Sequence, residues 1–223
     1  EWISFIPTVL VTVGVLALPG LALGLTLRIR GWWLMATAAP LSVSLVVVAS
    51  IFAGWFSIPW TAAPVLVLTA VAVIAAFCWR RWVGPGERSG PRRARRKGFL
   101  PGIVGLAAGA VPIAIFVGRG MGDPSRIAQR YDNFFHINAI QYVLDTQNGS
   151  PFAVGSMTAP GNLLFYPSGW HSLGSLVVQL SGGSVPAASN AVVLVLAALV
   201  WPVSIILLAR TLFGGSALVT VAA

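Results

Sequence analysis

Two short strings, RYDNFFH at residues 130–136 and FYPSGWH at residues 165–171, lie in the longest polar interval of the sequence, between Gly118 and Gly183. This interval contains three of the five acidic residues and both histidines. Long apolar runs flank it on both sides. Such runs predict membrane-spanning helices, which would hold the polar interval at one face of a membrane.

The composition supports a membrane protein of the all-α class. Hydrophobic residues make up 57% of the 223-residue chain and charged residues only 9%, whereas a soluble domain has about 25% charged residues. The net charge of +9 is concentrated: eight of the fourteen basic residues lie between Arg80 and Lys97. That clustering is typical of a membrane-topology signal, so we expect no nucleic-acid partner.

The apolar runs divide the chain into five complete spans and the start of a sixth. Residues 1–97 contain three spans and a basic loop, 98–117 a fourth, 118–184 the polar interval, and 185–223 a fifth span and a partial sixth that begins near Leu212. The first apolar run, residues 3–27, is interrupted by the pair Pro19-Gly20 but is still predicted to be one span. Gly98, Gly102, Gly105 and Gly109 predict a face on the fourth span that another helix approaches closely. Because the chain stops inside an apolar run, we expect a fragment of a longer protein.

The distribution of Lys and Arg predicts the orientation. If the basic block of residues 80–97 faces the cytoplasm together with Arg28, Arg30 and Arg210, eleven of the fourteen basic residues lie inside. The amino terminus and the interval 118–184 are then extracytoplasmic. We expect the protein itself to span the plasma membrane of a bacterium.

The first half of the polar interval predicts a helix that starts at Asp123-Pro124 and stops near Asn148-Gly149. Asp is a favoured N-cap and Pro a favoured first helical residue. The apolar positions form a broad stripe, so the helix should lie along the membrane surface.

Asp132 and His136 are four residues apart and therefore project from one face of that helix. Three uses are open to them: they could share a proton, bind a divalent cation such as Mg²⁺ or Mn²⁺, or accept a proton from a substrate hydroxyl. Alternatively, Asp132 pairs with Arg126 or Arg130 and His136 is simply solvated. Spacing alone does not choose among these uses.

After a loop over residues 153–162, a second helix should start near Pro167 and stop at Gly182-Gly183. The free N–H groups and the positive dipole end at a helix start favour an anion such as phosphate. The residues at that end are Tyr166, Ser168, Trp170 and His171. They predict a phosphate site or, alternatively, a belt of aromatic side chains at the membrane interface with a solvated histidine.

The strings YDNFFH (131–136), SPF (150–152) and FYPSGWH (165–171) resemble an uncharacterised family of bacterial multi-spanning proteins similar to the GT-C glycosyltransferases. The resemblance implies interfacial helices in the large loop, an essential loop acid at the position of Asp132, and an aromatic-proline segment that includes Tyr166, Pro167 and His171. It also implies a polyprenyl-phosphate-linked sugar as donor. The acidic loop of many GT-C enzymes follows the first span, whereas here it follows the fourth.

The resemblance predicts transfer of a sugar from a polyprenyl-phosphate donor to an extracytoplasmic acceptor. Asp132 would be the general base or a cation ligand, His136 would support it, and Arg126 or Arg130 would join His171 on the donor phosphate. The alternative is a non-enzymatic scaffold or transporter component whose outer loop binds a partner, such as a further membrane subunit. The predicted spans carry no acid and no internal Lys or Arg, which argues against the transporter.

Overall fold

A computed structural model of the chain describes residues 1–84, 99–129, 131–159, 161–162, 164–214 and 216–222. These residues form helices and connections, without a strand among them. Five helices are long and apolar enough to cross a membrane. They are α1 (Trp2–Thr26), α2 (Trp32–Trp55), α3 (Ala62–Val83), α4 (Phe99–Met121) and the continuous helix Val185–Phe213. The predicted set of five spans is therefore confirmed by length and composition. The predicted basic loop falls largely on residues 85–98, outside the described residues.

The first span is one helix that continues through Pro19-Gly20. Proline cannot donate a backbone hydrogen bond, and its neighbours must be satisfied elsewhere. Here the Gly20 N–H donates to the Ser42 hydroxyl of α2 at 2.8 Å. A side chain at Gly20 would collide with the backbone of Ala38, so the absence of one lets α1 and α2 pack closely at this point.

The glycine face predicted on α4 is a packing surface. A methyl group at Gly102 would collide with the Trp32 ring, and one at Gly105 with the Thr220 carbonyl. Gly109 faces Pro202. Gly98, which belongs to the same predicted face, lies outside the described residues.

The fifth span consists of three parts: α8 (Val185–Val195), a π-helical segment (Leu196–Val200) and α9 (Trp201–Phe213). The Trp201 N–H donates to the Leu196 carbonyl, which is the five-residue spacing of a π-helix. A sixth helix was expected to begin near Leu212, but α9 continues through this position to Phe213. The following helix, α10 (Ala217–Ala222), has six residues and packs against α4 and α9.

Between α4 and α8 the chain forms three further helices: α5 (Tyr131–Thr146), α6 (Pro151–Ser156) and α7 (Gly169–Ser181). Residues 153–162 were expected to be a loop, and α6 corrects this for their first part. Ser150 caps α6 by accepting a hydrogen bond from the Phe152 N–H, and Pro151 occupies the first turn.

Helix α7 is buried inside the bundle. Seven consecutive residues, His171 to Val177, are buried, and the helix packs against α1, α2, α5 and α8. Trp60, which is 0% exposed, helps to hold it in place. The Trp60 ring N–H lies 3.2 Å from the Ser172 carbonyl and 3.1 Å from the Ser175 hydroxyl. The middle of this helix is therefore enclosed by other helices, and only its carboxyl end, with Gln179 and Leu180, is exposed.

Contacts between distant segments show which parts of the chain share an end of the bundle. The backbone N–H of Trp60 donates to the Gln147 carbonyl, and Gly118 faces the Trp2 ring. One end of the bundle therefore contains the amino terminus, the 57–61 connection and the 122–184 region. At the other end, the Arg80 guanidinium contacts the Thr26 carbonyl. The basic ends of α1 and α3 thus lie away from the polar interval.

Candidate functional site

The two histidines of the chain are in direct contact. His136 Nδ1 on α5 and His171 Nε2 in the first turn of α7 are 3.0 Å apart. Their rings are close to parallel, with an interplanar angle of 23°. The Phe135 ring meets His171 edge-on at 5.9 Å, and the Tyr166 ring lies 5.7 Å from it. An aromatic enclosure therefore surrounds the imidazole of His171.

The environment of His171 fixes its charge. The side chain is 1% exposed, and its Nδ1 has no hydrogen-bond partner among the described residues. Burial, with a smaller contribution from the charge of neighbouring His136, lowers the pKa of His171 to about 4. His171 is consequently neutral at neutral pH.

The neutral His171 allows two arrangements of the shared proton. In one, His171 Nε2–H donates to His136 Nδ1. In the other, His136 Nδ1–H donates to His171 Nε2, and the lone pair of His136 is then on Nε2. The second arrangement gives His136 a basic nitrogen that the pair itself does not use.

His136 also lines a cleft of about 720 Å³ at the end of the bundle that carries the polar interval. The apolar side chains of the cleft come mainly from the spans, with Val117 and Met121 on α4 and Val193 on α8. The polar lining is contributed by Arg126, Gln129, Asn133, His136, Trp170, Ser189 and Asn190. Among the described residues the cleft is therefore amphipathic, with the Arg126 guanidinium and several amides beside an apolar wall.

The segment that carries Arg126 is held in a non-helical conformation. The Asp123 carboxylate accepts hydrogen bonds from the N–H and hydroxyl of Ser125, at 2.9 and 2.7 Å, and these bonds lower the pKa of Asp123. Asn190 of α8 donates to the carbonyls of Pro124 and Arg126, both at 2.9 Å. A helix was expected to start at Asp123-Pro124, and this prediction is wrong. The hydrogen bonds of Asp123 and Asn190 hold the segment in a turn, and α5 begins only at Tyr131.

Asp132 and His136 differ in their surroundings, although both are on α5. Asp132 is exposed in the first turn of α5 and is not among the residues that line the cleft. His136, one turn further along the same helix, is the α5 residue in contact with His171. The two histidines of the chain are therefore paired with each other.

Of the other predicted site residues, three lie at the cleft or the histidine pair, one supports the fold, and one is outside the described residues. Arg126 and Trp170 line the cleft with His136, and Tyr166 packs against Phe135 at 4.8 Å and against His171. Ser168 is buried, and its hydroxyl donates to the Gly149 carbonyl at 2.7 Å, so it supports the fold. Arg130 lies outside the described residues.

Sequence reasoning missed Asn190 as a site residue. It is the most polar side chain within the predicted spans, and an amide at such a position is a functional signal.

The metal prediction involved Asp132, and no group of three His, Cys, Asp or Glu side chains within the described ranges is placed to hold a metal ion.

These features define a helical protein of the multi-pass membrane class with an amphipathic cleft at one end of its bundle. The chain belongs to DUF6541, a family of unknown function, whose family model matches residues 13–223. Neither a curated protein nor a solved structure matches the chain. The family assignment lends no support to the resemblance to GT-C glycosyltransferases.

Proposed function

We propose that the protein is a membrane transferase that moves a sugar from a polyprenyl-phosphate donor to an acceptor hydroxyl at the extracytoplasmic face. The observation that carries this proposal is the amphipathic cleft, where a cationic side chain and a histidine lie beside apolar residues of two spans. A lipid-linked phosphate has the same division into an anionic head and an apolar chain.

Donor binding would use both parts of the cleft. The Arg126 guanidinium suits a phosphate because its planar donors form charge-assisted hydrogen bonds with phosphate oxygens. The apolar side chains of α4 and α8, among them Val117 and Val193, would contact the first prenyl units. Asn190 holds the carbonyl of Arg126 and so positions the backbone from which the guanidinium extends.

The transfer step requires a base for the acceptor. In our proposal His136 Nε2 accepts the proton of the acceptor hydroxyl while the hydroxyl oxygen bonds to the anomeric carbon. The bond between that carbon and the phosphate oxygen breaks, and the lipid phosphate leaves with the electron pair beside Arg126. His171, neutral and buried, accepts the His136 Nδ1–H and orients the ring.

Asp132 is reassigned from the base to a residue outside the cleft lining. A divalent cation remains part of the proposal only as an ion shared with substrate, because Mg²⁺ is often held by one or two carboxylates together with substrate phosphates. Turnover that is unchanged after chelation and dialysis would remove the cation from the proposal.

The test uses purified protein in liposomes with a panel of polyprenyl-phosphate sugars and measures release of the lipid phosphate. His136→Gln should lower kcat by at least about 100-fold, in the range expected for loss of a general base. Arg126→Gln should mainly raise KM for the donor. Asp145→Asn is the matched control on α5, because Asp145 is exposed and bonded to Gln141.

Three results would count against the proposal. Full turnover by His136→Gln would remove the base, and a 100-fold loss in Asp132→Asn with normal His136→Gln would restore the role first expected for Asp132. No turnover of any donor in the panel, together with no binding of polyprenyl phosphate, would reject the transferase.

A partner-binding scaffold is the second candidate, and one observation favours it. Tyr131 at the start of α5 is 97% exposed, and Phe134 on the same helix is also exposed. A scaffold predicts that Tyr131→Ala with Phe134→Ala weakens association with a further membrane subunit. His136→Gln would leave that association unchanged.

A further inference from the structure

A second cleft, of about 580 Å³, lies where the end of α2 meets α5 and α6. Its aromatic residues are Trp55, Tyr142 and Phe152, and its polar residues are Asn148, Ser150 and Ser156. None of the residues that line it carries a charge. The chemistry of this cleft therefore differs from that of the cleft with Arg126 and His136.

The polar groups of the second cleft are held in place by the protein and retain free hydrogen-bonding capacity. The Asn148 side-chain oxygen accepts from the Ser150 N–H at 3.0 Å, so its amide nitrogen is the group left to donate outward. The Ser156 hydroxyl donates to the Ala153 carbonyl at 2.7 Å, which leaves its oxygen as an acceptor. Donor and acceptor are thus presented together.

The turn that carries these groups is seated directly on α2. A methyl group at Gly54 would lie 3.0 Å from the Ser150 hydroxyl oxygen and 3.1 Å from the Asn148 side-chain oxygen. Only glycine lets the helix and the turn approach so closely without a shift. The floor of the cleft is therefore formed before any ligand arrives.

Trp55 supplies an exposed aromatic surface next to this floor. Trp55 is 63% exposed, and the Phe52 ring packs against its ring edge-on at 5.6 Å. Tyr142 and Phe152 are half-buried. An indole with this exposure can stack against a flat apolar face of a ligand while the amide and the hydroxyls bind its polar edge.

We propose that this cleft binds an uncharged saccharide. A pyranose ring has the two properties that the cleft matches: C–H faces that pack against aromatic rings and a rim of hydroxyls that both donate and accept. The uncharged lining favours neutral sugars over phosphorylated ones, since a buried phosphate needs a compensating cation. The identification of this saccharide as the acceptor rests on the proposed function, whereas the binding itself does not.

The experiment measures binding of a panel of neutral gluco-, manno- and galacto-oligosaccharides to the full chain in lipid nanodiscs by saturation-transfer NMR. Nanodiscs avoid maltoside detergents, whose headgroups would compete for the cleft. Trp55→Ala should weaken binding by about tenfold or more, as expected for loss of a stacked aromatic ring. Trp79→Ala is the matched control, because Trp79 on α3 is similarly exposed, at 57%, and is not in the cleft lining.

Two further variants separate binding from folding. Trp55→Phe keeps a ring and should retain most of the affinity, and Asn148→Ala should weaken binding without loss of the folded state by circular dichroism. The absence of saturable binding for every oligosaccharide in the panel would overturn the proposal, as would equal affinities for Trp55→Ala and Trp79→Ala. The readout here is saccharide binding and not turnover. Saccharide binding, together with neither lipid-phosphate release nor polyprenyl-phosphate binding, would reject only the transferase. Lipid-phosphate release without saccharide binding would reject only the second site.

Discussion

The buried histidine makes the stability of the protein depend on pH in a way that can be calculated. His171 has a pKa of about 4 in the folded state, whereas an unperturbed histidine titrates near pH 6.5. Below about pH 6.5 the unfolded chain therefore binds a proton that the folded chain does not, and the free energy of unfolding falls as the pH falls. The loss continues until about pH 4, where the folded state also becomes protonated.

The expected magnitude follows from this difference. Between about pH 7 and about pH 5, the single titration of His171 lowers the free energy of unfolding by about 2 kcal/mol. The full loss, which is complete only below about pH 4, is about 3 kcal/mol. The side chain is 1% exposed, so solvent screening takes little away from this value.

Reversible unfolding by dodecyl sulfate titration in mixed micelles measures this dependence. His171→Phe should give a nearly flat profile over the same pH range, because it removes the titrating group and keeps a ring among Phe135 and Tyr166. His136→Gln should retain most of the slope, since burial is the larger cause of the shifted pKa. A wild-type profile as flat as that of His171→Phe, or a slope that disappears in His136→Gln, would refute the reasoning.

Three other substitutions test the packing at this end of the bundle. Trp60→Ala should lower the free energy of unfolding by about 3–5 kcal/mol because it empties a fully buried site. Trp79→Ala is the control and should change it by less than about 0.5 kcal/mol. Dodecyl sulfate titration measures both. Asn190→Ala should release residues 122–129, which would then exchange their amide hydrogens faster while exchange in α7 stays the same. Unchanged exchange in both regions would show that the two hydrogen bonds of Asn190 are not needed to hold this segment. Gly155→Ala should destabilise the α6 region by more than about 1 kcal/mol, since its methyl group would collide with the Leu164 carbonyl, and an unchanged midpoint would contradict this.

The spans were predictable because the bilayer imposes a strong constraint on sequence. A run of about 20 apolar residues has few structures other than a helix open to it in lipid. Even Pro19 did not break this rule, because the chain supplied Ser42 on a neighbouring helix to accept the adjacent N–H. That acceptor depends on the packing of α1 against α2 and has no local signal in the sequence.

The candidate site was predictable only in part, for a similar reason. Its residues were recognised by type and by their place in the polar interval, but their partners are set by long-range packing. The contact of His136 with His171 requires α5 to lie against α7, and the turn at Asp123 requires Asn190 from a later helix. The four-residue spacing placed Asp132 and His136 on one face of a helix, but only the packing of α5 against α7 brings His136 to His171.

The π-helical segment Leu196–Val200 makes the length of the fifth span functionally constrained. One extra residue in a helical turn rotates everything after it by about 100°, because an α-helix has about 3.6 residues per turn. The segment therefore rotates the faces of α8 and α9 relative to each other about the helix axis. On α8, Asn190 and Val193 face the cleft, and α9 packs against α2 and α4. Deletion of Ala197 would bring the two halves into phase and turn one of those surfaces away from its neighbours. Single-residue insertions and deletions here should therefore be tolerated far less well than substitutions.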